Sequence, residues 1–324
     1  MYKLTETQIC NVIANASGSF QDYCIKNDIH FAVVGSSGGL DSAVTLKLAN
    51  IAANGARARG FDLTIVGLIM PCQSSDDSVR LGQLAIEAAG AEMMTIPLEK
   101  AWNYLNSEVL TDVDDQIVNL LKKKNQGTIW DWEKSATIAQ GNIKARLRMM
   151  LGTYHVARML NGLVLSTDNL SELYMGFWTL HGDVGDYGMI QQVFKGLELY
   201  DIARYLGVPQ EIINAKPDDG LGVTNGGDEE QLGAPYEIID KIMVEYIKLD
   251  VFLYRHTQEL DIAEKIKNVA EETGFNKKVV DKILRRHTTT KFKRIGPINL
   301  TREDLGLPDI TEMNEEYKVD LNDD

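Results

Sequence analysis

The sequence predicts an α/β protein built on a parallel sheet with helices on both faces. Three features carry this expectation. Short apolar, β-branched runs at 29–34, 63–70, 93–96 and 162–168 alternate with helix-length amphipathic stretches. The first run is followed at once by a glycine-rich turn and a helix, as in strand–loop–helix units. Strand-sized apolar runs of this kind, without strict alternation, suit strands buried on both faces.

The elements follow in order. Residues 1–28 read as a helix, with Ile9, Val12, Ile13, Phe20 and Tyr23 at helical spacing. Ile29 to Val34 is the first strand. Gly35-Ser36-Ser37-Gly38-Gly39-Leu40-Asp41-Ser42 is the turn, and the helix after it is expected to stop near Asn54-Gly55. Leu63 to Met70 is a second strand, ended by Pro71. Ser74-Ser75-Asp76-Asp77 caps a helix that Gly90 closes after Ala89. Met93 to Ile96 is a third strand. Residues 99–127 read as helical, and the Lys122-Lys123-Lys124 run within them as a solvated face. Trp130-Asp131-Trp132 reads as packing material. A long helix spans about 136–159, and Gly162 to Asp168 is a fourth strand and its exit. Further helices cover Leu170–Trp178, Lys195–Leu206 and about 238–254, 261–272 and 277–287. Residues 215–236, rich in Gly, Asp, Asn and Pro, read as a mobile loop of the lid kind.

Composition narrows the classes. The chain has 324 residues, 44% hydrophobic and 25% charged, as in a globular protein. No apolar run nears the roughly 20 residues needed to span a bilayer, and Met1 to Glu6 lacks signal-peptide character. Three cysteines without metal-ligand spacing point to a reducing, cytoplasmic setting and away from zinc. A net charge of −14 opposes binding to nucleic acid or an anionic membrane. Residues 301–324, with nine acidic and two basic side chains, read as an acidic C-terminal tail after a domain spanning 1–300.

The turn at 35–42 carries the chemistry. A strand, bare glycines and a helix N-terminus set backbone N–H groups before an anion. Gly38 and Gly39 allow positive φ and close approach, and Ser36, Ser37 and Ser42 add hydroxyls. Asp41 would repel a bare phosphate, so a divalent cation is expected between them. No Gly-Lys-Ser/Thr follows, which sets the turn apart from the common phosphate loop. It resembles the SGGxDS loop of the ATP pyrophosphatase (PP-loop) family. That resemblance implies a Rossmann-like adenine nucleotide alpha hydrolase fold and cleavage of ATP to AMP and pyrophosphate.

Four later stretches sharpen the resemblance. They are Gly141-Asn142-Ile143-Lys144-Ala145-Arg146-Leu147-Arg148-Met149; Ser166-Thr167-Asp168-Asn169-Leu170-Ser171-Glu172; Gly176 to Asp186 with Lys195 after it; and Ala203 to Pro209 with Lys216-Pro217. In this order, behind an SGGxDS loop, the chain resembles the NAD synthetases. The resemblance implies amidation of deamido-NAD through an acyl-adenylate, with ATP as co-substrate, Mg2+ as cofactor and ammonia as nitrogen donor. It further implies that Gly35 to Ser42, Thr167 and Lys195 contact ATP. Asp41 and Glu172 would hold magnesium. Arg146, Asp186 and Lys293 would contact deamido-NAD, with Asp186 also helping to deprotonate ammonium. A homodimer is implied as well. The chain begins almost at the synthetase segment, so no amidase domain is expected ahead of it. Leu180, Asp218 and Phe292 depart from residues common in the family, and Gln73 stands near a family glutamine. Two alternatives stay open: another PP-loop nucleotide ligase, and a nucleotide-binding regulator without turnover.

Overall fold

A computed structural model of the chain describes residues 3–123, 132–182, 184–218, 227–295, 301, 302, 304 and 305. Trp130, Asp131, Lys124 and most of the acidic tail lie outside the described residues.

The order of elements is the one that the apolar runs dictate. Helix α1 (Glu6–Lys26) opens with a reciprocal Thr5/Gln8 capping box. Strand β1 (Phe31–Gly35), helix α2 (Leu40–Ala58), strand β2 (Thr64–Ile69), helix α3 (Asp76–Ala89) and strand β3 (Glu92–Thr95) follow. Ser75 caps α3 by accepting from Ser78 N at 3.1 Å, and Gly90 ends it at φ 73°. Then come α4 (Glu99–Tyr104), a π-helical segment Leu105–Leu110, α5 (Thr111–Lys123), α6 (Trp132–Leu147), a second π segment Arg148–Thr153, and α7 (Tyr154–Met159). Strand β4 (Leu163–Ser166), α8 (Leu170–Met175) and the two-residue β5 (Tyr187–Gly188) complete the sheet. A third π segment, Lys195–Leu199, leads into α9 (Tyr200–Tyr205), α10 (Gln210–Asn214) and α11 (Asp228–Leu232). The chain continues through α12 (Tyr236–Arg255), α13 (Ile262–Thr273), α14 (Lys277–Thr289) and α15 (Lys291–Arg294).

The strands run parallel in the order β3-β2-β1-β4-β5. Val33 faces Val66 on one side and Val164 on the other. Alternate residues of each strand feed opposite faces. Ala32, Val34 and Ile65 join a core with Phe20, Leu46 and Ile86. Val33, Val66 and Val164 join another with Trp102, Leu147 and Val156. A third core, around Tyr236, Ile239, Met243, Val269 and Ile283, lies among α8 and α12–α14. The chain leaves β1 toward β2 on one side and returns to β4 on the other, so the topological switch point falls between β1 and β4. Ligands of open α/β sheets bind beyond the strand ends at that point.

Several expected boundaries move, each for a local reason. Helix α2 passes Gly55 and ends at Ala58. A Cβ at Gly55 would lie 2.4 Å from Gln21 Oε1, so this glycine serves close packing of α1 on α2 rather than termination. Helix α8 ends at Met175 because Gly176 turns to φ 58°. The long helices at 99–127 and 136–159 are each interrupted by a π segment. Strand β3 is an exposed edge, with Met93 and Met94 half-exposed. Within 215–236, residues 219–226 lie outside the described residues, and the remainder includes α11 rather than loop alone.

One buried carboxylate away from the sheet makes stability depend on pH. Asp240 of α12 accepts from Gly196 N at 2.7 Å. Burial pushes its carboxyl up to about 7, against hydrogen bonds from Ser171, Gly196 and Leu197 that favour the charged form. The folded state therefore holds this proton more tightly than the unfolded chain, whose Asp titrates near 3.9. The stabilisation is complete below about pH 4 and is lost as pH rises through about 7. Asp240→Asn is expected to flatten that part of the profile. The gap in Tm between pH 5 and pH 8 should shrink relative to the parent; an unchanged gap would assign the pH dependence elsewhere.

Candidate active site

The turn after β1 and the turn after β4 meet at the switch point and enclose a cavity of about 710 Å³. Gly35 to Asp41, Thr167, Asp168, Glu172, Lys195, Arg148 and Asp228 are among its lining residues. The first turn approaches α3 closely. Gly38 sits at φ 86°, and a Cβ there would fall 2.6 Å from Ser78 O. Gly39 differs from the expectation of positive φ: at φ −88° it is the extended N-cap of α2. No side chain caps α2 among the described residues, so its first N–H groups suit an outside acceptor such as phosphate.

The serines close the turn on itself. Ser36 Oγ donates to Gly82 O at 2.9 Å, and its N–H donates to Leu68 O at 2.9 Å. Ser37 Oγ accepts from Gly39 N at 3.2 Å, and Ser42 Oγ donates to Gly39 O at 3.1 Å. Ser42 does not line the cavity. Its contribution in this state is to the shape of the turn.

The charged residues converge from separate elements. Lys195 Nζ lies 2.8 Å from Asp41 Oδ2 and 3.1 Å from Glu172 Oε1. Asn169, the N-cap of α8, accepts from Glu172 N at 3.0 Å and donates to Asp41 Oδ1 at 2.8 Å, tying the two turns together. Tyr236 OH sits 3.3 Å from Glu172 Oε1 and 3.2 Å from Asp228 Oδ2. Burial pushes the Glu172 carboxyl well above the usual range; Lys195 pulls it down, while Asp41, Asp168 and Asp228 push it further up. Burial works to lower the Lys195 ammonium, but Asp41, Tyr236, Glu172 and Asp228 outweigh it and hold the group charged. The cluster thus carries more carboxylates than cations, and hard oxygens from two strand ends suit a hard divalent ion.

A second cavity, of about 1120 Å³, adjoins the first, and Met149 lines both. Arg146, His181, Lys293 and Arg294 line it, with Leu180, Trp178, Tyr154 and Met150 as apolar wall. Arg146 Nε donates to Leu180 O at 3.2 Å. Lys293 Nζ donates to Gly176 O at 2.8 Å and to Trp178 O. Asp186 lines neither cavity. Its Oδ1 accepts from Tyr154 OH at 2.7 Å and its Oδ2 from Val164 N at 2.9 Å. Asp41, Thr167, Glu172 and Lys195 are therefore brought together in one cavity, Arg146 and Lys293 line its neighbour, and Asp186 stands behind Tyr154.

Three members of the cluster carried no expectation. Asn169 was readable as a helix N-cap after a strand. Asp228 and Tyr236 reach the site from 33 and 41 residues beyond Lys195, and nothing local in the sequence marks them.

An open parallel sheet, with a glycine-rich turn leading into a helix N-terminus and carboxylates converging at its switch point, is an arrangement shared by nucleotide-binding α/β proteins. The comparisons agree and go further. The NAD synthase family model matches residues 12–297. An NH(3)-dependent NAD(+) synthetase of Alkaliphilus metalliredigens is 35% identical over 214 residues, covering 65% of this chain and 76% of that protein. One of Pyrococcus furiosus is 32% identical over 258 residues, covering 79% and 87%. The NMN synthetase of Francisella tularensis shares the fold with TM-score 0.61 at 24% identity, over 90% of this chain and 98% of that one. The chain belongs to the NAD synthase family.

Proposed function

We propose that this chain is an ATP-dependent ligase that amidates deamido-NAD with ammonia, yielding NAD, AMP and pyrophosphate. The observation that carries this reading is the pair of adjoining cavities: one with the anion-binding turn and carboxylate cluster, the other with Arg146, Lys293 and Arg294 for a phosphorylated acid. The nicotinate carboxylate is a poor electrophile. Its oxygen attacks the α-phosphorus of ATP, pyrophosphate leaves, and ammonia then displaces AMP from the acyl carbon with loss of a proton.

The residues divide this work. Gly35 to Leu40 with the α2 N-terminus, Thr167 and Lys195 bind the triphosphate, and Ser42 keeps the turn in shape. Asp41 and Glu172 would hold Mg2+, which when bound neutralises charge on the phosphates. Arg146 and Lys293 orient deamido-NAD. Asp186 is a positioning residue: it holds Tyr154 at the cavity wall and pins the β4–β5 edge. Asp186→Asn is expected to slow amide formation more than pyrophosphate release; equal slowing of both would remove it from the amidation step.

A homodimer fits the exposed apolar stripe Val109, Val113, Ile117 and Leu120, together with the exposed Met150 at the second cavity. A cytoplasmic setting fits three free cysteines and an ATP-using reaction. No described helix is long and apolar enough to cross a membrane.

The test is a product balance. Purified protein with ATP, Mg2+, ammonium and deamido-NAD should yield NAD, AMP and pyrophosphate in equal amounts. AMP formed only with another acid would favour a different PP-loop ligase, and ATP binding without AMP would favour a regulator. Glutamine supporting turnover as well as ammonium would contradict ammonia as donor.

A further inference from the structure

Lys195 is only 4% exposed, and its Nζ lies within ion-pair distance of two carboxyl groups. Its ammonium spans Asp41 and Glu172 and stands 4.5 Å over the Tyr236 ring, which adds a cation–π contact. Tyr236 OH lies between Glu172 and Asp228, so the ring and hydroxyl hold lysine and carboxylates in one frame. Buried carboxylates are tolerated when a cation pairs with them. Here that cation is supplied by the chain itself. A divalent ion would need the same two carboxylates. Two cations at that range repel strongly in a buried site, so lysine and metal compete for them.

We propose, on the reading that Asp41 and Glu172 serve a metal–ATP site, that Lys195 is a stand-in cation. It closes that site to a free divalent ion until a triphosphate offers its ammonium new oxygen partners. Tyr236 and Asp228 are the positioning residues that keep it there. Nucleotide and metal then bind with mutual dependence: each raises the affinity for the other by the same factor. The arrangement prevents a bare metal from occupying the site in a geometry set without the nucleotide.

Mn2+ binding, followed by the loss of its free-ion electron paramagnetic resonance signal, tests this without turnover. The parent protein should bind Mn2+ weakly alone and stoichiometrically with a non-hydrolysable ATP analogue. Lys195→Gln should bind Mn2+ without nucleotide at least about tenfold more tightly than the parent, since one pairing charge is removed from a buried carboxylate cluster. Adding Asp41→Asn to that variant should abolish the gain. Lys195→Arg, which keeps the charge, should exclude Mn2+ as the parent does. Parent protein that binds Mn2+ alone as tightly as it does with the analogue overturns the proposal, even if Lys195→Gln fails to fold. So does a Lys195→Gln protein that folds but gains nothing. Parent protein that binds no Mn2+ even with the analogue overturns the metal–ATP reading as well, whereas the other two failures leave it standing.

Discussion

Asp41→Ala should leave a folded protein that has lost Mg2+-dependent adenylation. Asp41 lies in the first turn of α2, and its side chain is 16% exposed, so its removal opens no deep cavity. Lys195 keeps Glu172 as a partner, and the Asn169 contact to Glu172 N is untouched. Lys195 and the buried Asn169 each lose a partner, so Tm should fall below that of the parent while the fold holds. The loss to rate is larger. Adenylyl transfer gathers negative charge between the attacking carboxylate and the departing pyrophosphate, and a bound cation contributes several kcal/mol there. Removing half of its proposed carboxylate pair should lower pyrophosphate release about a thousandfold, in the range seen when one charge-stabilising group is lost from a preorganised site. Glu172→Gln should act in the same direction with the side chain's size preserved. Pyrophosphate release like the parent's in Asp41→Ala, at saturating Mg2+ and ATP, would overturn the assignment of Asp41 to the metal.

The readable part of this site is the part encoded in short, contiguous stretches. A buried strand needs only apolar residues in sequence, and a turn with positive φ needs glycine at one position, so β1 and its turn could be located from 29–42 alone. The Ser75 cap and the Gly90 stop of α3 were legible for the same reason. What depends on distant partners was not. Gly55 looks like a stop unless Gln21 of α1 is known to cover it. A strand of two residues, such as β5, has no period to read. The π segments at Leu105–Leu110, Arg148–Thr153 and Lys195–Leu199 leave the apolar spacing close to that of an α-helix. The Asp186 carboxylate is turned toward Tyr154 and the β4 backbone by the sheet edge, a direction that no local pattern records. The cage around Lys195 needs Tyr236, whose place is fixed by the third core.

Gly38→Ala should be the most damaging single methyl that can be added to the nucleotide turn. At φ 86° an alanine is strained by about 1–3 kcal/mol before any contact is considered. Its Cβ would then meet Ser78 O at 2.6 Å and Gly82 N at 3.1 Å. Both are backbone atoms of α3, which is anchored beneath by Leu81, Ala85 and Ile86 in the main core. Neither can yield like a side-chain tip, so the turn itself must lift away from α3. That movement would pull Ser36 off Gly82 O and displace the N–H groups that would receive the phosphates. A misplacement of about 1 Å costs on the order of a hundredfold in rate, so kcat/KM for ATP should fall by about that factor, with a clear drop in Tm. Gly39→Ala is the control. Its φ of −88° is open to any residue, and its Cβ would meet only Ser37 Oγ at 3.3 Å, a side-chain atom rather than the backbone of α3. Calorimetric melting and steady-state kinetics on the two variants should separate them widely. Equal losses would mean that the turn is not held against α3 through Gly38, and the ATP-binding geometry built on it would have to be redrawn.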